Sequence, residues 1–132
     1  MDYYARNLKL IRRYHPYLLE QLSREAAAHA VPEVLESKSG VPTLRLQGRF
    51  FHSAYDPVRE AREIVAGMRF SRKSNIVVLG FGMGYHLDEM VAAGGIDAHM
   101  VVVVEADAGV LKAALCSRDL SAVLKRTARI CL

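Results

Sequence analysis

A glycine-rich turn between an apolar run and a helical segment is the feature that most constrains this chain. Ile76 to Leu79 is a continuous apolar run, and Gly80-Phe81-Gly82-Met83-Gly84 follows it directly. A helical pattern comes next and stops at Gly94-Gly95. Short apolar runs that alternate with helical segments are typical of parallel strands, apolar on both faces, that are joined by helical crossovers. The pattern therefore predicts a strand, a tight turn and a helix in that order.

The same pattern continues to residue 132. A second apolar run, Met100 to Val104, ends in Glu105, and Asp107 then stands where it can cap a helix over Ala108 to Cys116. Asp119 is in position to cap a further short helix through residue 124. We predict parallel strands near 75–80, 100–105 and 128–132, with helices that begin at about 85 and 108.

The first part of the chain has a different pattern. Tyr4, Leu8, Ile11 and Tyr14 form one stripe at helical spacing, and His15-Pro16 interrupts it. Pro16 suits the first turn of a second helix, which we expect to continue over 26–30. Residues 33–53 read as a small antiparallel β-meander, and Asp56-Pro57 begins a third helix.

The predicted fold class is therefore α/β, with N-terminal helices and a small antiparallel β-meander followed by a partial Rossmann-like parallel βαβαβ unit. Residues 1–70 hold the helices and the meander, and residues 71–132 hold the Rossmann-like half-domain. At 132 residues we expect both parts to form one compact unit.

Composition narrows the class of protein. Apolar residues make up 52% of the chain and charged residues 24%, which is typical of a globular domain. No apolar run approaches the ~20 residues of a membrane span, and no signal-peptide pattern follows Met1. The net charge is +4, and the basic residues occur in isolated pairs, such as Arg12-Arg13, rather than in tracts. We therefore expect no nucleic-acid partner and no membrane partner. We expect a cytoplasmic location, with Cys116 and Cys131 reduced and buried.

The glycine turn and the acid beyond it form a candidate nucleotide site. Glycines let the backbone approach a ligand closely, the helix N-terminus favours anions, and a carboxylate after the second strand can accept hydrogen bonds from ribose. The candidate cofactor-binding residues are Gly80, Gly82, Gly84, Tyr85, His86 and Glu105. An equally open interpretation is that the glycines serve only helix–sheet packing.

The spacing leaves the identity of the ligand open. A dinucleotide fingerprint needs a glycine at position 85, where this chain has Tyr85. The spacing of Gly80, Gly82 and Gly84 resembles motif I of S-adenosylmethionine-dependent methyltransferases, although Val78 stands where those enzymes usually have an acid. A methyltransferase-like protein is therefore the alternative function.

Other polar residues favour structural roles. His86 either contacts a ligand or packs locally, whereas Asp107 is expected to cap its helix and Asp88-Glu89 to complement a helix dipole. The sequence contains no nucleophile–base signature and no spacing typical of metal ligands. We expect no catalytic residue and no metal site in this chain.

Several strings resemble one protein family. VLGFGMGYHL at 78–87 and VVVVEAD at 101–107, together with NLKLIRRYHPYLLEQL at 7–22 and GRFFHSAYDPVREA at 48–61, resemble the N-terminal region of the motility-associated factor family of flagellin glycosyltransferases. The resemblance implies that this chain is a prefix to a downstream catalytic domain. It also implies a role near the transfer of nonulosonic sugars from a CMP-activated donor to flagellin.

The leading hypothesis is thus a non-catalytic domain of a glycosyltransferase-like protein that binds a nucleotide-like ligand or retains only the shape of such a site. Its partner would be the downstream catalytic domain. We also expect a homodimer, because three strands leave a parallel sheet incompletely covered near Ile130 and Leu132. This expected two-fold surface uses the last helix and strand.

Overall fold

The computed structural model describes residues 1–24, 31–70, 74–94 and 100–132. Within these ranges the chain forms six helices and two three-stranded sheets. The helices are α1 (Tyr3–Tyr14), α2 (Leu18–Arg24), α3 (Pro57–Ala66), α4 (Tyr85–Ala92), α5 (Ala108–Ser117) and α6 (Ser121–Arg126). The strands are β1 (Glu33–Glu36), β2 (Pro42–Leu46), β3 (Arg49–Phe50), β4 (Asn75–Leu79), β5 (Met100–Val104) and β6 (Arg129–Cys131).

Helix α1 ends at the predicted break, His15-Pro16, and α2 begins at Leu18, two residues after Pro16. The Asp2 carboxylate accepts a hydrogen bond from the Ala5 amide at 3.0 Å, which caps α1, and His15 ends that helix. Helix α1 packs on α5 and α6. Its predicted stripe is buried at Ile11, whereas Tyr14 at its end is exposed. The expected continuation of α2 over 26–30 lies outside the described residues.

The predicted β-meander is confirmed. Strands β1, β2 and β3 pair antiparallel in chain order, with Val34 opposite Leu44. Gln47 and Gly48 connect β2 to β3, and both have a positive φ, as a tight hairpin turn requires. Asp56 then caps α3 by accepting from the Arg59 amide at 3.0 Å.

The predicted Rossmann-like unit is also confirmed, and with it the α/β fold class. Strands β4, β5 and β6 are parallel and lie in that order, with Val78 beside Val103 and Val103 beside Ile130. Helix α4 connects β4 to β5, and α5 and α6 connect β5 to β6. Asp107 caps α5 as predicted, since its carboxylate accepts from the Gly109 amide at 2.7 Å.

The short helix α6 differs slightly from its prediction. It begins at Ser121 and continues to Arg126, two residues beyond the expected end. Leu120 occupies the N-cap position and provides no side-chain cap. The Asp119 carboxylate still accepts hydrogen bonds from the Ser121 hydroxyl and from the Ser121 amide, and these bonds hold the Asp119 pKa below its ordinary value.

Within the described residues only one face of the parallel sheet is covered, although its strands are apolar on both faces as expected. Val101, Val103 and Ile130 are fully buried on the helix-covered face. Val77, Leu79, Met100 and Val104 are exposed on the other face. The reason is geometric: right-handed crossovers that advance in one direction, β4 to β5 to β6, place all their helices on the same face.

Two residue-level expectations are also corrected. Ile130 is fully buried within its own chain, so it does not lie at an uncovered surface, and Leu132 is half-buried. The Tyr17 hydroxyl accepts a hydrogen bond from the Ile130 amide at 3.0 Å and covers this edge of the sheet. Cys116 is exposed rather than buried, because it lies on the outer side of α5, and Cys131 is half-buried.

The core lies between the helix-covered face of the parallel sheet and helices from both parts of the chain. It includes Ile11 and Leu18 from the first two helices, Leu44 from the meander and Val65 from α3. The remaining core residues belong mainly to the second half of the chain, and Phe81 and Met83 of the glycine turn are among them. The turn is thus anchored in the core by its two non-glycine side chains.

Candidate functional site

The glycine loop, residues 80–84, connects the carboxyl end of β4 to the first residue of α4. Gly80, Gly82 and Gly84 have φ angles of 92°, 53° and 76°. These angles lie in the left-handed region, which residues with a Cβ adopt only at a cost. The alternation of glycine with Phe81 and Met83 therefore turns the chain sharply while two apolar side chains remain in the core.

Glu105 holds the first half of the loop. Its side chain is buried at the carboxyl end of β5, and its Oε2 atom accepts hydrogen bonds from the Phe81 amide at 2.8 Å and the Gly82 amide at 3.2 Å. Its Oε1 atom accepts from the Asp107 amide at 3.0 Å. Both carboxylate oxygens are therefore bonded to the backbone of this chain.

His52 holds the second half of the loop. Its Nε2 atom accepts a hydrogen bond from the Met83 amide at 2.8 Å, so the neutral ring carries its proton on Nδ1. Nδ1 lies 4.0 Å from the nearer carboxylate oxygen of Glu60. Burial, together with the charges of protonated His86 and of Arg118, lowers the pKa of His52 to about 4. The ring is therefore neutral at physiological pH and remains an acceptor.

The two remaining loop amides are also bonded within the chain. The Gly80 amide donates to the Val104 carbonyl at 2.7 Å, and the Gly84 amide donates to the Phe81 carbonyl at 2.9 Å. All five amides of the glycine loop therefore have an acceptor in this chain. A phosphate-binding loop depends instead on amides that are free to bind an anion.

Arg118 stabilises the loop from the opposite side. Its guanidinium donates to the Met83 carbonyl at 2.7 Å, pairs with the Asp88 carboxylate and lies 4.0 Å from the centre of the Tyr85 ring. Burial raises the pKa of Asp88, and the charge of Arg118 opposes that shift. One side chain thus connects the loop to α4 through a carbonyl, a carboxylate and an aromatic ring.

Tyr85 and His86 occupy the first turn of α4, as the sequence predicts. The buried Tyr85 ring connects α4 to the meander, because its hydroxyl donates to the carbonyl of Pro42 in β2 at 2.5 Å. The His86 ring stacks against the His52 ring, with 6.4 Å between the centroids. Burial lowers the pKa of His86, and a hydrogen bond with the Gly80 backbone opposes this shift.

A trough beside β4 borders the loop at Gly80 and Gly82, and we call it the β4 trough. Its volume is about 510 Å³, and most of its wall is apolar. Its walls come from the segment after β3, helix α3, strand β4 and helix α4. The lining residues are Phe51, His52, Glu60, Ala61, Ile64, Met68, Ile76, Val77, Val78, Leu79, Gly80, Gly82, His86 and Met90.

The six candidate residues from the sequence divide into two groups. Gly80, Gly82 and His86 line the β4 trough, whereas Gly84, Tyr85 and Glu105 are not among its lining residues. Two further residues, His52 and Arg118, are central to the loop. Neither is predictable from local sequence, because His52 lies 31 residues before Met83 and arginines at helix ends, such as Arg118, are common.

No group of three or more His, Cys, Asp or Glu side chains among the described residues is arranged to hold a metal ion. Among the same residues, no helix is both long and apolar enough to cross a membrane.

A solved structure shares the fold of this chain. No family model matches the sequence. The structure of the MAf glycosyltransferase from Magnetospirillum magneticum AMB-1 superposes on 98% of this chain with a TM-score of 0.64 and 13% sequence identity. This chain therefore shares its α/β fold with part of that enzyme, of which it covers 27%.

One curated relative is more similar in sequence. An uncharacterized protein of Treponema pallidum (strain Nichols) is 33% identical over 123 residues, which is 90% of this chain. This chain spans 36% of the length of that relative. Both matched proteins are thus about three to four times longer than the region they share with this chain.

Proposed function

We propose that this chain is the N-terminal, non-catalytic domain of a longer protein that resembles the flagellin glycosyltransferases of the motility-associated factor family. Two independent similarities support the proposal. The sequence strings at 78–87 and 101–107 resemble that family. In addition, nearly all of this chain has the same fold as a region that makes up 27% of a MAf glycosyltransferase. In the proposal, transfer of the nonulosonic sugar takes place in a downstream catalytic domain, which is the partner of this one.

The hydrogen bonds of the glycine loop support a structural, non-catalytic role for this domain. Every amide of the glycine loop is bonded within the chain, and Glu105 and His52 accept three of these five bonds. A loop whose donors are already satisfied gains little from a phosphate, because each new bond would replace an existing one. The loop therefore has a structural function: it holds the first turn of α4 in place at the carboxyl end of β4.

The first experiment tests this role by sugar transfer. The 132-residue chain would be incubated with flagellin and a CMP-activated nonulosonic acid, with a complete MAf glycosyltransferase as the positive control. We expect no glycosylated flagellin from this chain by mass spectrometry. Transfer by this chain alone would contradict the proposal.

A second candidate function rests on the position of the β4 trough. Gly80, Gly82 and His86 line this cavity at the carboxyl end of β4, which is where open α/β sheets bind their ligands. A nucleotide-like ligand would place its base among apolar residues such as Ile64 and Met90. S-adenosylmethionine is the alternative, as in a methyltransferase-like protein, because the glycine spacing is similar to motif I of those enzymes.

Calorimetry separates the two candidate functions. CMP, S-adenosylmethionine and NAD would each be titrated into the wild-type chain and into His86→Ala. Binding of one of the three that His86→Ala weakens would support a ligand site in the trough. Absence of heat with all three supports the structural role of the loop.

A further inference from the structure

The His52 ring carries a polar hydrogen that has no acceptor among the described residues. Its Nε2 atom accepts from the Met83 amide, so the proton of the neutral ring is on Nδ1. Nδ1 lies 4.0 Å from the Glu60 Oε1 atom, which is too long for a hydrogen bond, and no other acceptor of the described chain reaches it. The His52 side chain is only 10% exposed. A buried donor without a partner is costly, so this N–H group needs a partner from outside the described chain.

Glu60 of helix α3 places an acceptor beside this donor. Its Oε1 atom accepts from the Ser53 amide at 3.0 Å, and its Oε2 atom has no hydrogen-bond donor in the part of the chain that the structure describes. Glu60 and His52 both line the β4 trough, whose wall is mostly apolar and whose volume is about 510 Å³. Small-molecule sites have volumes of ~300–1,000 Å³ and combine an apolar wall with a few convergent polar groups. The trough therefore has the composition of a small-molecule site.

The trough has no positive charge that could hold a phosphate. None of the described residues that line it is a lysine or an arginine. His52 is neutral, burial lowers the pKa of His86 as well, and the Glu60 carboxylate repels anions. The amides of the glycine loop are already bonded within the chain. The part of a ligand that meets this wall is therefore uncharged.

The remaining wall favours an apolar body for this ligand. Phe51, Ile64 and Met68 all line the trough and are all partly exposed to it or to solvent. A Cβ atom at Gly80 would meet nothing within 4 Å, so the backbone there is open to the close approach of a ligand. An aromatic ring satisfies both conditions, because its faces are apolar and its edge can carry polar atoms.

We propose that His52 and Glu60 recognise the edge of an uncharged nucleobase on which a ring nitrogen lies next to an amino group. The ring nitrogen accepts from the His52 Nδ1–H group, and the amino group donates to the Glu60 carboxylate. Adenine and cytosine have such an edge. The inference rests on the second candidate function, since CMP, S-adenosylmethionine and NAD each carry one of these bases, and it assigns the contacts that select them.

Ligand analogues test this pairing in the wild-type chain. Adenosine would be titrated into the isotope-labelled chain, with the NMR amide signals of Gly80 and Gly82 as reporters of the trough. We expect a dissociation constant on the order of 0.1 mM. 1-Deazaadenosine lacks the acceptor for His52, and purine riboside lacks the donor for Glu60. Each should bind about tenfold more weakly, because it leaves a polar group of the wall without a partner.

A phosphate tests the charge of the site. AMP should bind no more tightly than adenosine, because the described lining of the trough has no cation and the loop amides are already bonded. Binding of AMP that is about tenfold tighter than that of adenosine would overturn the inference, since the phosphate would then carry the recognition.

Glu60→Ala tests the protein side of the pair. Adenosine should bind this variant about tenfold more weakly than wild type, whereas purine riboside, which cannot donate to Glu60, should bind both equally. Glu63→Ala is the matched control, because Glu63 is an exposed carboxylate of the same helix that pairs with Arg59 outside the trough. It should bind adenosine as wild type does. Equal weakening of adenosine and purine riboside would show a loss of fold, and the analogues in the wild-type chain then decide.

The outcomes separate this inference from the function on which it rests. Equal affinity of wild type for adenosine and both analogues would overturn the inference, and so would the absence of adenosine and cytidine binding. If CMP, S-adenosylmethionine or NAD nevertheless binds in calorimetry, the trough is a ligand site and only the recognition of the base edge is wrong. If none of them binds, the second candidate function is wrong as well.

Discussion

The Nε2 atom of His52 lies 2.8 Å from the Met83 amide nitrogen and accepts its hydrogen. This contact connects the segment after the meander to the glycine loop of the parallel sheet, across 31 residues of sequence. It also explains why position 82 is glycine. A Cβ atom at Gly82 would lie 2.4 Å from the same nitrogen, which is too close for any side chain.

The first prediction compares two glycines of the loop. Gly82→Ala should lower the free energy of unfolding by about 3 kcal/mol, because it combines a left-handed residue with loss of the His52–Met83 bond. Gly80→Ala is the matched control, since Gly80 also has a positive φ but has open space around its Cβ position. We expect a loss of about 1–2 kcal/mol there.

Urea unfolding of both variants measures the difference. Any side chain at position 82 would displace the His52 ring and so lower the stability of the fold. Equal free energies of unfolding for Gly82→Ala and Gly80→Ala would show that His52 does not constrain the loop.

The second prediction concerns pH. The pKa of His52 is about 4 in the folded chain and 6.5 for an ordinary histidine in the unfolded chain, so the unfolded chain binds a proton first as the pH falls. The neutral ring therefore contributes stability that is fully present above pH 6.5 and is lost as the pH falls toward 4. The loss from this ring alone reaches about 3 kcal/mol at most.

His52→Gln isolates this contribution. Glutamine does not titrate, so stability should fall less steeply between pH 6.5 and 4.5, by up to about 1.4 kcal/mol per pH unit. The lowered pKa values of His15 and His86 act in both proteins and leave a residual slope. The free energy of unfolding is measured by urea unfolding at several pH values. If its slope against pH is the same in wild type and His52→Gln, the His52 ring is not buried in its neutral form.

The third prediction concerns Glu105. Glu105→Gln retains the size of the side chain but exchanges one acceptor oxygen for an amide donor, which would face the backbone amides of the loop or of Asp107. We expect the free energy of unfolding to fall by about 2 kcal/mol. Glu36→Gln is the control, because Glu36 is exposed on β1 and should change stability by less than about 0.5 kcal/mol. If the two variants are equally stable, Glu105 does not organise the loop.

The fourth prediction concerns a buried amide that joins α1 to the second half of the chain. The Asn7 side chain donates to the carbonyls of Leu115 and Arg118 and accepts from the Leu120 amide. Asn7→Asp should lower the free energy of unfolding by about 3 kcal/mol, because a carboxylate cannot donate to the two carbonyls. Asn75→Asp, on the exposed edge strand, is the matched control. Similar thermal melting of both variants would contradict this role.

The order and type of the elements were predictable because each depends on local pattern. The apolar runs of β4 and β5 and the caps at Asp56 and Asp107 are signals within a few residues of sequence. The tight turn at the glycines, whose φ angles are positive, was likewise predictable from the glycine spacing. These features position the candidate site, and they account for the confirmed fold class.

The contacts inside the site were less predictable because they join distant segments. An apolar run such as Ile76 to Leu79 does not reveal which face of the sheet is covered, since that depends on the direction of the crossovers. Glu105 was correctly expected at the end of β5, but its position alone does not distinguish ribose hydroxyls from loop amides as its partners. His52 and Arg118 meet the loop only through the tertiary fold.

The central claim is that the glycine loop is satisfied within the chain by Glu105 and His52. The most direct measurement is amide hydrogen exchange by NMR at Phe81, Gly82 and Met83 in the ligand-free protein. We predict protection at all three amides, with loss at Phe81 and Gly82 in Glu105→Ala and loss at Met83 in His52→Ala, because alanine removes the acceptor in each case. Exchange of these amides at unprotected rates in the wild-type chain would contradict the claim, because it would show that the loop holds its donors free for a ligand.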